Sequence, residues 1–402
     1  MPAEISPRPP PHPRRWRALG LLATAQFLGM SVWFTASAVS PALVEAWGLT
    51  GQETGWLTTS VQIGFVAGTA LAALLNLADV VPARWYFAAS AALAALVNGL
   101  LLTVPGFEAA VLLRFLTGFC LAGVYPPAMK MTATWFRSGR GLAIGTVVAA
   151  LTVGKATPYL TRAIEPAVEP VILAASAAAL AAAILIALRY REGPFPFDRR
   201  PFSWSLVGVV ARHRETRLAT AGYLGHMWEL YAVWTWLPAF LVASAAARGG
   251  TPPWAVDLLA FGAIAAGGLG CVWGGWAADR VGRARIAARC LWVSGACCLA
   301  VGLLFGGPWL LLAPLVLVWG FFVVADSAQF SALVTEVAPS HAVGTALTLQ
   351  TSLGFLLTMV TIQAVPALVE TAGWPWAFPL LALGPAAGLA ALARLGRPIK
   401  GR

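Results

Sequence analysis

Twelve apolar blocks, each about as long as the ~20 residues that cross a bilayer as a helix, divide this chain and constrain its fold. Numbered as predicted spans 1 to 12, they cover residues 18–44, 55–77, 85–104, 108–131, 141–165, 168–190, 216–244, 254–277, 286–305, 308–334, 342–369 and 374–393. The strands of a membrane barrel would instead alternate in polarity over about ten residues. Only 11% of the residues are charged, against about 25% in a soluble domain. The sequence therefore predicts an all-α membrane protein with 12 transmembrane helices.

Lys and Arg are distributed unevenly between the two sides of this predicted bundle. With both termini inside, 23 of the 27 basic residues fall on the inner side. Only Arg162 and Arg248 fall on the outer side, together with seven carboxylates, namely Glu45, Glu53, Glu108, Glu165, Glu169, Asp257 and Glu370. The positive-inside rule then predicts that both termini are cytoplasmic, in an inner (cytoplasmic) cell membrane. Contact with anionic lipid accounts for the net charge of +11 without nucleic acid as a partner.

An internal repeat indicates two halves of six helices each. The segment "LATAQFLG" at 22–29 returns as "LATAGYLG" at 218–225, and Asp79 is matched by Asp279. Parallel repeats of this kind are typical of transporters that work by alternating access. The predicted organisation is an N-terminal tail at 1–17, a first half at 18–190, a cytoplasmic linker at 191–215, a second half at 216–393 and a C-terminal tail at 394–402.

The segment "GGWAADRVGRAR" at 274–285, between predicted spans 8 and 9, resembles the loop motif of the major facilitator superfamily. "RFLTGFCLAG" at 114–123 resembles the fourth-helix pattern of the same superfamily. The first-half copy of the loop, "LLNLADVVPAR" at 74–84, has lost its glycines. The resemblance implies that the two loops gate the conformational change, through Asp279, Arg280, Gly282, Arg283, Asp79 and Arg84. It also implies a central cavity lined by spans 1, 4, 7 and 10, with spans 2, 5, 8 and 11 beside it.

Ionisable residues inside the predicted spans are the candidates for transport chemistry, because burying a charge in a bilayer is costly. Arg114, Lys155, Glu229 and Asp326 lie in predicted spans 4, 5, 7 and 10. Lys155 and Glu229 lie near mid-depth, where we expect them to be neighbours. His226 precedes Glu229 by three residues and therefore shares its helix face. We expect Arg114 and Lys155 to attract an anion, and Glu229, Asp326 and His226 to carry the proton.

Polar and aromatic residues of spans 1 and 7 complete the predicted substrate site, namely Gln26, Trp33, Trp228 and Tyr231. Span 5 carries Lys155 directly after Gly154, where drug/proton antiporters of the superfamily have a Gly-Pro motif. The chain loosely resembles the branch of nitrate/nitrite and cyanate-type anion porters, although glycine-rich signatures of nitrate porters are missing.

The predicted function is therefore secondary transport of a small anionic solute by a monomer, with proton symport and no cofactor or metal. Efflux of a lipophilic compound by proton antiport is the alternative. A membrane-embedded enzyme is less well supported, because the four His, at 12, 213, 226 and 341, are scattered. The five Cys lie within predicted spans, as small buried side chains do.

The charge asymmetry generates a test of topology. Single cysteines introduced in the loops at 45–54 and 245–253 should react with a membrane-impermeant thiol reagent in intact cells, whereas cysteines at 191–215 should react only after lysis. The reverse labelling pattern would contradict the predicted orientation.

Overall fold

The computed structural model describes residues 13–75, 77–136, 139–195 and 203–396, and these residues form helices without any strand. Eleven helical stretches are long and apolar enough to cross a membrane. They are spans 2 to 12, at Gly51–Leu74, Ala83–Thr103, Phe107–Ala133, Gly141–Ile164, Val168–Arg189, Arg214–Ala247, Pro253–Val281, Arg283–Leu304, Trp309–Val337, Ser340–Ala372 and Trp374–Leu395. Within the linker, a short helix covers Val207–Arg212. We call the end of the bundle at which Arg15 and Leu395 lie the basic side.

Span 1 is not the single continuous helix that the sequence predicts. It consists of the helices Arg15–Gly29, Thr35–Ala38 and Ser40–Trp47, with turns between Gly29 and Thr35. Spans 4 and 10 are also interrupted, at residues 122–124 and at Asp326. A broken helix leaves backbone groups unpaired, and a bilayer tolerates this only where protein groups replace the lost hydrogen bonds. The hydrophobic pattern of the sequence does not reveal such breaks, since the residues that flank each break are as apolar as the rest of the span.

Close backbone contacts at glycines give a structural reason for the repeat between the two halves of the sequence. A Cβ on Gly118 of span 4 would collide with the carbonyl oxygen of Val61 in span 2. The same contact recurs in the second half, where a Cβ on Gly320 of span 10 would collide with the carbonyl oxygen of Ala263 in span 8. Both residues of the second contact lie 202 positions after those of the first. Small residues allow this close approach of helices in membranes.

The repeated "LATA" segment serves the same purpose. It ends at Gly29 in the first half, where a Cβ would lie 3.6 Å from Ala182 of span 6. The second copy ends at Gly225, where a Cβ would meet the backbone of Gly384 in span 12. Gly225 therefore lets span 7 pack closely against span 12, whereas the tightest contact of a Cβ at Gly29 would be with Val124 of span 4, at 3.2 Å.

The two halves meet along two helix pairs, span 5 with span 8 and span 2 with span 11. Between spans 5 and 8 the backbones are close, because a Cβ on Gly145 would lie 3.3 Å from the carbonyl oxygen of Cys271. Between spans 2 and 11, the rings of Phe65 and Phe355 lie 4.7 Å apart. These contacts between the halves bring side chains of span 5, in the first half, close to side chains of span 7, in the second half, at the centre of the bundle.

The glycine contacts generate a paired test. Gly118→Ala should lower the free energy of unfolding by about 1–3 kcal/mol or more, because the added methyl group overpacks a helix contact. Gly20→Ala is the matched control, since nothing lies within 4 Å of a Cβ at Gly20. It should leave stability unchanged or raise it slightly, by up to about 1 kcal/mol of helix propensity. Thermal unfolding in detergent measures both, and equal effects would contradict the packing argument.

Candidate functional site

The Lys155 ammonium lies at the interface of the two halves, among aromatic side chains. Its Nζ lies 3.9 Å from the ring centroid of Trp33 in span 1. It also lies 4.8 Å from the ring of Tyr231 and 5.3 Å from that of Trp234, both in span 7. Nζ donates a hydrogen bond to Tyr231 Oη at 2.6 Å. We call Lys155, Trp33, Tyr231 and Trp234 the aromatic cage, and both halves contribute to it.

Further aromatic rings surround this cage. The ring of Tyr231 lies 5.3 Å from that of Phe355 in span 11. The ring of Trp33 lies 5.3 Å from that of Phe65 in span 2, and Phe34 packs edge-on against Trp234 at 6.1 Å. These offset and edge-to-face geometries are those that aromatic pairs prefer. The walls of the site are therefore flat and apolar.

The charge of Lys155 has no counterion among the described residues. Its side chain is 2% exposed, and no described carboxylate lies within 4.0 Å of Nζ. The indole nitrogens of Trp33 and Trp234 are buried and lack an acceptor. An indole N–H only donates, and an ammonium only donates. The cage therefore presents unused hydrogen-bond donors beside an unneutralised cation.

Arg114, the other cation predicted to attract an anion, is bonded to the protein. Its Nη1 donates to Asn98 Oδ1 at 3.0 Å, and its Nη2 donates to the carbonyl oxygen of Val32 at 3.0 Å and to that of Trp33. Both carbonyls lie in the turn that interrupts span 1. The guanidinium thus replaces helix hydrogen bonds that the break removes. Its role as an anion ligand stays a prediction.

Glu229 points into the second half rather than toward Lys155. Its Oε1 accepts hydrogen bonds from Trp319 Nε1 at 2.6 Å and from Cys298 Sγ at 3.2 Å, and its Oε2 accepts one from Ser294 Oγ at 2.9 Å. These three donors belong to spans 9 and 10, and all are neutral. The hydrogen bonds of Glu229 and Lys155 go to different groups, and no ion pair joins the two side chains among the described residues.

His226 of span 7 and Asp326 of span 10 form a buried pair. His226 Nδ1 lies 2.9 Å from Asp326 Oδ1, and both side chains are 1% exposed. His226 Nε2 has no hydrogen-bond partner among the described residues. Asp326 occupies the junction between the two helices of span 10. The predicted proton-coupling residues therefore line one contact, between spans 7 and 10.

The remaining residues of the predicted substrate site lie apart from the cage. Trp228 Nε1 donates to the carbonyl oxygen of Leu380 at 3.3 Å, on the face of span 7 toward span 12. Gln26 is fully buried in span 1, and neither of its amide atoms has a partner among the described residues. Of the six predicted substrate-binding residues, Lys155, Trp33 and Tyr231 are thus brought together.

The intact loop motif lies at the basic side, against span 5. Asp279 approaches the first turn of span 5, because a Cβ on Gly141 would lie 3.2 Å from its carboxylate. Arg283 Nη2 lies 3.8 Å from Asp279 Oδ1, and Arg283 Nε donates to Glu336 Oε1 at 2.6 Å. Carboxylates favour a helix N-terminus, where free N–H groups concentrate positive potential. The motif thereby connects span 8 to span 10 and to the other half.

Other predicted gating residues have local roles. The guanidinium of Arg280 stacks at 3.8 Å on the ring of Trp276. Gly282 makes the turn after span 8 with φ +97, a backbone conformation that favours glycine. Arg84 donates to the carbonyl oxygen of Ala187 in span 6. The side chain of Asp79 lies outside the described residues.

An ion pair joins the halves at the end of the bundle opposite the basic side. Arg162, in the last turn of span 5, donates from Nε to Asp257 Oδ2 at 2.9 Å and from Nη2 to Oδ1. Its Nη1 donates to the carbonyl oxygen of Ala38 in span 1. Asp257 belongs to the first turns of span 8 and is 4% exposed. The pair therefore ties spans 1, 5 and 8 together on that side.

Sequence reasoning missed Asp257, Trp319 and Phe355 as residues of these sites. Asp257 and Arg162 were predicted as loop charges that set topology. One feature of the sequence could have suggested that they pair: both lie near the ends of spans 5 and 8, and the superfamily resemblance places these two spans beside the central cavity. No described group of three His, Cys, Asp or Glu side chains could hold a metal ion.

The buried ion pair generates a test of its contribution. Asp257→Asn should lower the free energy of unfolding by about 3–5 kcal/mol, because Arg162 loses its buried counterion. Combining Arg162→Asp with Asp257→Arg should recover part of this loss. Glu336→Gln is the control, since its exposed pair with Arg283 is worth about 0–1 kcal/mol. Similar drops in the thermal midpoint for Asp257→Asn and Glu336→Gln would contradict the assignment.

Comparison with known proteins places this geometry in a family. The model of the Major Facilitator Superfamily matches residues 21–361. No curated protein sequence matches the chain significantly. The structure of the nucleoside transporter NupG is similar with a TM-score of 0.72 and 14% identity, over 94% of this chain and 100% of that one.

Two further solved structures share the fold. A bacterial homologue of the human lysosomal transporter Spinster, inward-facing and occupied, has a TM-score of 0.67 and 15% identity, over 96% of each chain. The fucose:proton symporter FucP of E. coli has a TM-score of 0.64 and 14% identity, over 96% of this chain and 100% of its own. The chain belongs to the major facilitator superfamily of membrane transporters.

Proposed function

We propose that this transporter moves a small anionic solute through a site centred on Lys155, by alternating access and with proton coupling. The observation that carries the proposal is the lone ammonium in the aromatic cage, 2% exposed and without a described counterion. Burying an unpaired charge costs several kcal/mol in an apolar environment. An anionic ligand would offset that cost, and it would accept from donors that are unused in this structure.

The position of the cage supports alternating access. Lys155 and Trp33 belong to the first half, and Tyr231 and Trp234 belong to the second. A solute bound between them would contact both halves, so its binding energy would depend on their relative arrangement. A ligand can shift a conformational equilibrium only through such differential contacts. We propose that the halves at 18–190 and 216–393 move as bodies around this site. We also propose that the protein lies in the inner membrane of the cell, with both termini in the cytoplasm.

We propose that Glu229 is the proton carrier. A carboxylate accepts all three of its hydrogen bonds, from Trp319, Ser294 and Cys298. A protonated carboxyl would donate from one oxygen, so protonation would either reverse the hydrogen bond with the Ser294 hydroxyl or displace the Trp319 N–H, and it would thereby change the contacts between spans 7, 9 and 10. His226 and Asp326 extend the same helix contact toward the basic side. Tyr231 follows Glu229 by two residues, so movement of span 7 would link the proton site to the cage.

The anion proposal is tested with Lys155→Met. The thermal midpoint of the purified wild type should rise with at least one member of an anion library, because a ligand that binds only the folded state adds about 2.7 kcal/mol at 100 times its Kd. Lys155→Met should lose the shift, and Lys130→Met, at the basic end of span 4, should keep it. If no anion raises the midpoint, or if the shift survives in Lys155→Met, the proposal fails. A shift with neutral lipophilic compounds instead would support the efflux alternative.

Proton coupling is tested with Glu229→Gln in liposomes, using an anion identified by thermal shift. The amide has nearly the same shape but cannot titrate, so uptake driven by a pH gradient should fall at least tenfold while the anion still shifts the thermal midpoint. Glu169→Gln, at an exposed position in span 6, should transport like the wild type. Concentrative uptake by Glu229→Gln would exclude Glu229 as the carrier and make Asp326 the next candidate.

A further inference from the structure

The number of free cations at the centre limits the charge of the solute. Arg114 Nη1 donates to Asn98 of span 3, and its Nη2 donates to two carbonyl oxygens of span 1, so these donors are occupied although the guanidinium keeps its charge. Lys155 is the basic residue of the aromatic cage, and its ammonium has no counterion among the described residues. Lys155 is the cation with which a carboxylate in the cage can pair directly, and a second carboxylate there would be buried without a cation of its own.

The unused polar groups of the cage are donors. The indole N–H groups of Trp33 and Trp234 have no acceptor among the described residues. Tyr231 Oη accepts from Lys155, and its own hydrogen has no acceptor among the described residues. A carboxylate has two oxygens that only accept, so it matches these groups. Sugar and nucleoside hydroxyls would also need acceptors, and a buried hydroxyl without a partner is costly.

The surroundings of the donors are aromatic. Phe65 and Phe355 pack against Trp33 at centroid distances of 5.3 and 6.1 Å, and Tyr231 lies 5.8 Å from the Trp33 ring. The flat faces and edges of these rings suit another flat ring, since aromatic pairs are favoured beyond the burial of their area. In this structure the rings pack against one another and are buried, so a solute enters only when they separate. An aromatic ring would then replace the ring contacts that are lost, whereas an inorganic oxyanion or a short alkyl acid would not.

We infer that the solute is a planar aromatic monocarboxylate. Its carboxylate takes the place of Tyr231 Oη as the acceptor for Lys155 Nζ, and its ring packs against Trp33 and Phe355. This inference rests on the proposed anion transport and specifies its substrate class. It assigns Trp33 as the residue that selects aromatic acids over other anions, separately from the charge recognition by Lys155.

The test is a binding series on the purified full-length protein, measured by isothermal titration and thermal shift. The probes are benzoate, cyclohexanecarboxylate, acetate, nitrate, terephthalate and neutral benzamide. Benzoate should bind at least tenfold more tightly than each of the others, because only benzoate combines one carboxylate with a flat ring. Trp33→Leu should raise the Kd for benzoate at least tenfold and change that for acetate less than threefold. Trp33→Phe should keep most of the preference for benzoate, and Trp292→Leu, at an exposed position in span 9, should bind like the wild type.

The outcomes separate this inference from the proposed function. If acetate or nitrate binds as tightly as benzoate, the aromatic specificity is overturned while anion transport stands. If terephthalate binds as tightly as benzoate, the limit of one charge is overturned. If no anion binds, or benzamide binds as tightly as benzoate, the proposed function fails as well. Should Trp33→Leu not fold, the wild-type series and Trp33→Phe decide the question.

Discussion

The hydrogen bonds of Arg114 to the carbonyl oxygens of Val32 and Trp33 are the interaction on which the central site depends. In a bilayer a broken helix is stable only if its freed backbone groups find partners inside the protein. The guanidinium supplies them from span 4, and Asn98 of span 3 fixes its orientation. The turn that results in span 1 carries Trp33 to the ammonium of Lys155. Arg114, which the sequence predicts to be an anion ligand, thus supports Trp33, the residue that covers the ammonium of Lys155.

The two halves share a scaffold and differ in chemistry. Glycine contacts between spans 2 and 4 recur between spans 8 and 10, because both pairs need close backbone approach. The cations Arg114 and Lys155 belong to the first half, and the carboxylates Glu229 and Asp326 belong to the second. Separation of this kind keeps the cation of the cage unneutralised and leaves the carboxylates with neutral or imidazole partners. Symmetric packing therefore coexists with an asymmetric distribution of buried charge.

Contacts at both ends of the bundle connect the same pair of helices. Asp279 approaches the first turn of span 5 at the basic side, and Arg162 binds Asp257 between spans 5 and 8 at the other side. Alternating access requires each set of contacts to weaken in turn. The buried pair is the stronger in energetic terms, since it is shielded from water, whereas the loop charges at the basic side are screened.

The sequence by itself determined the membrane class, the helical spans, the predicted orientation and the membership of a transporter superfamily, because hydropathy, Lys and Arg counts and a short motif are written in consecutive residues. It also identified Lys155, Trp33 and Tyr231, since a bilayer makes polar residues conspicuous. Only the tertiary structure decided that Lys155 meets Trp33 and Tyr231, that Glu229 instead meets Trp319, and that Arg114 binds the backbone. The physical reason is that a helix fixes the depth of a residue, whereas its direction and partner depend on how neighbouring helices rotate and where they break.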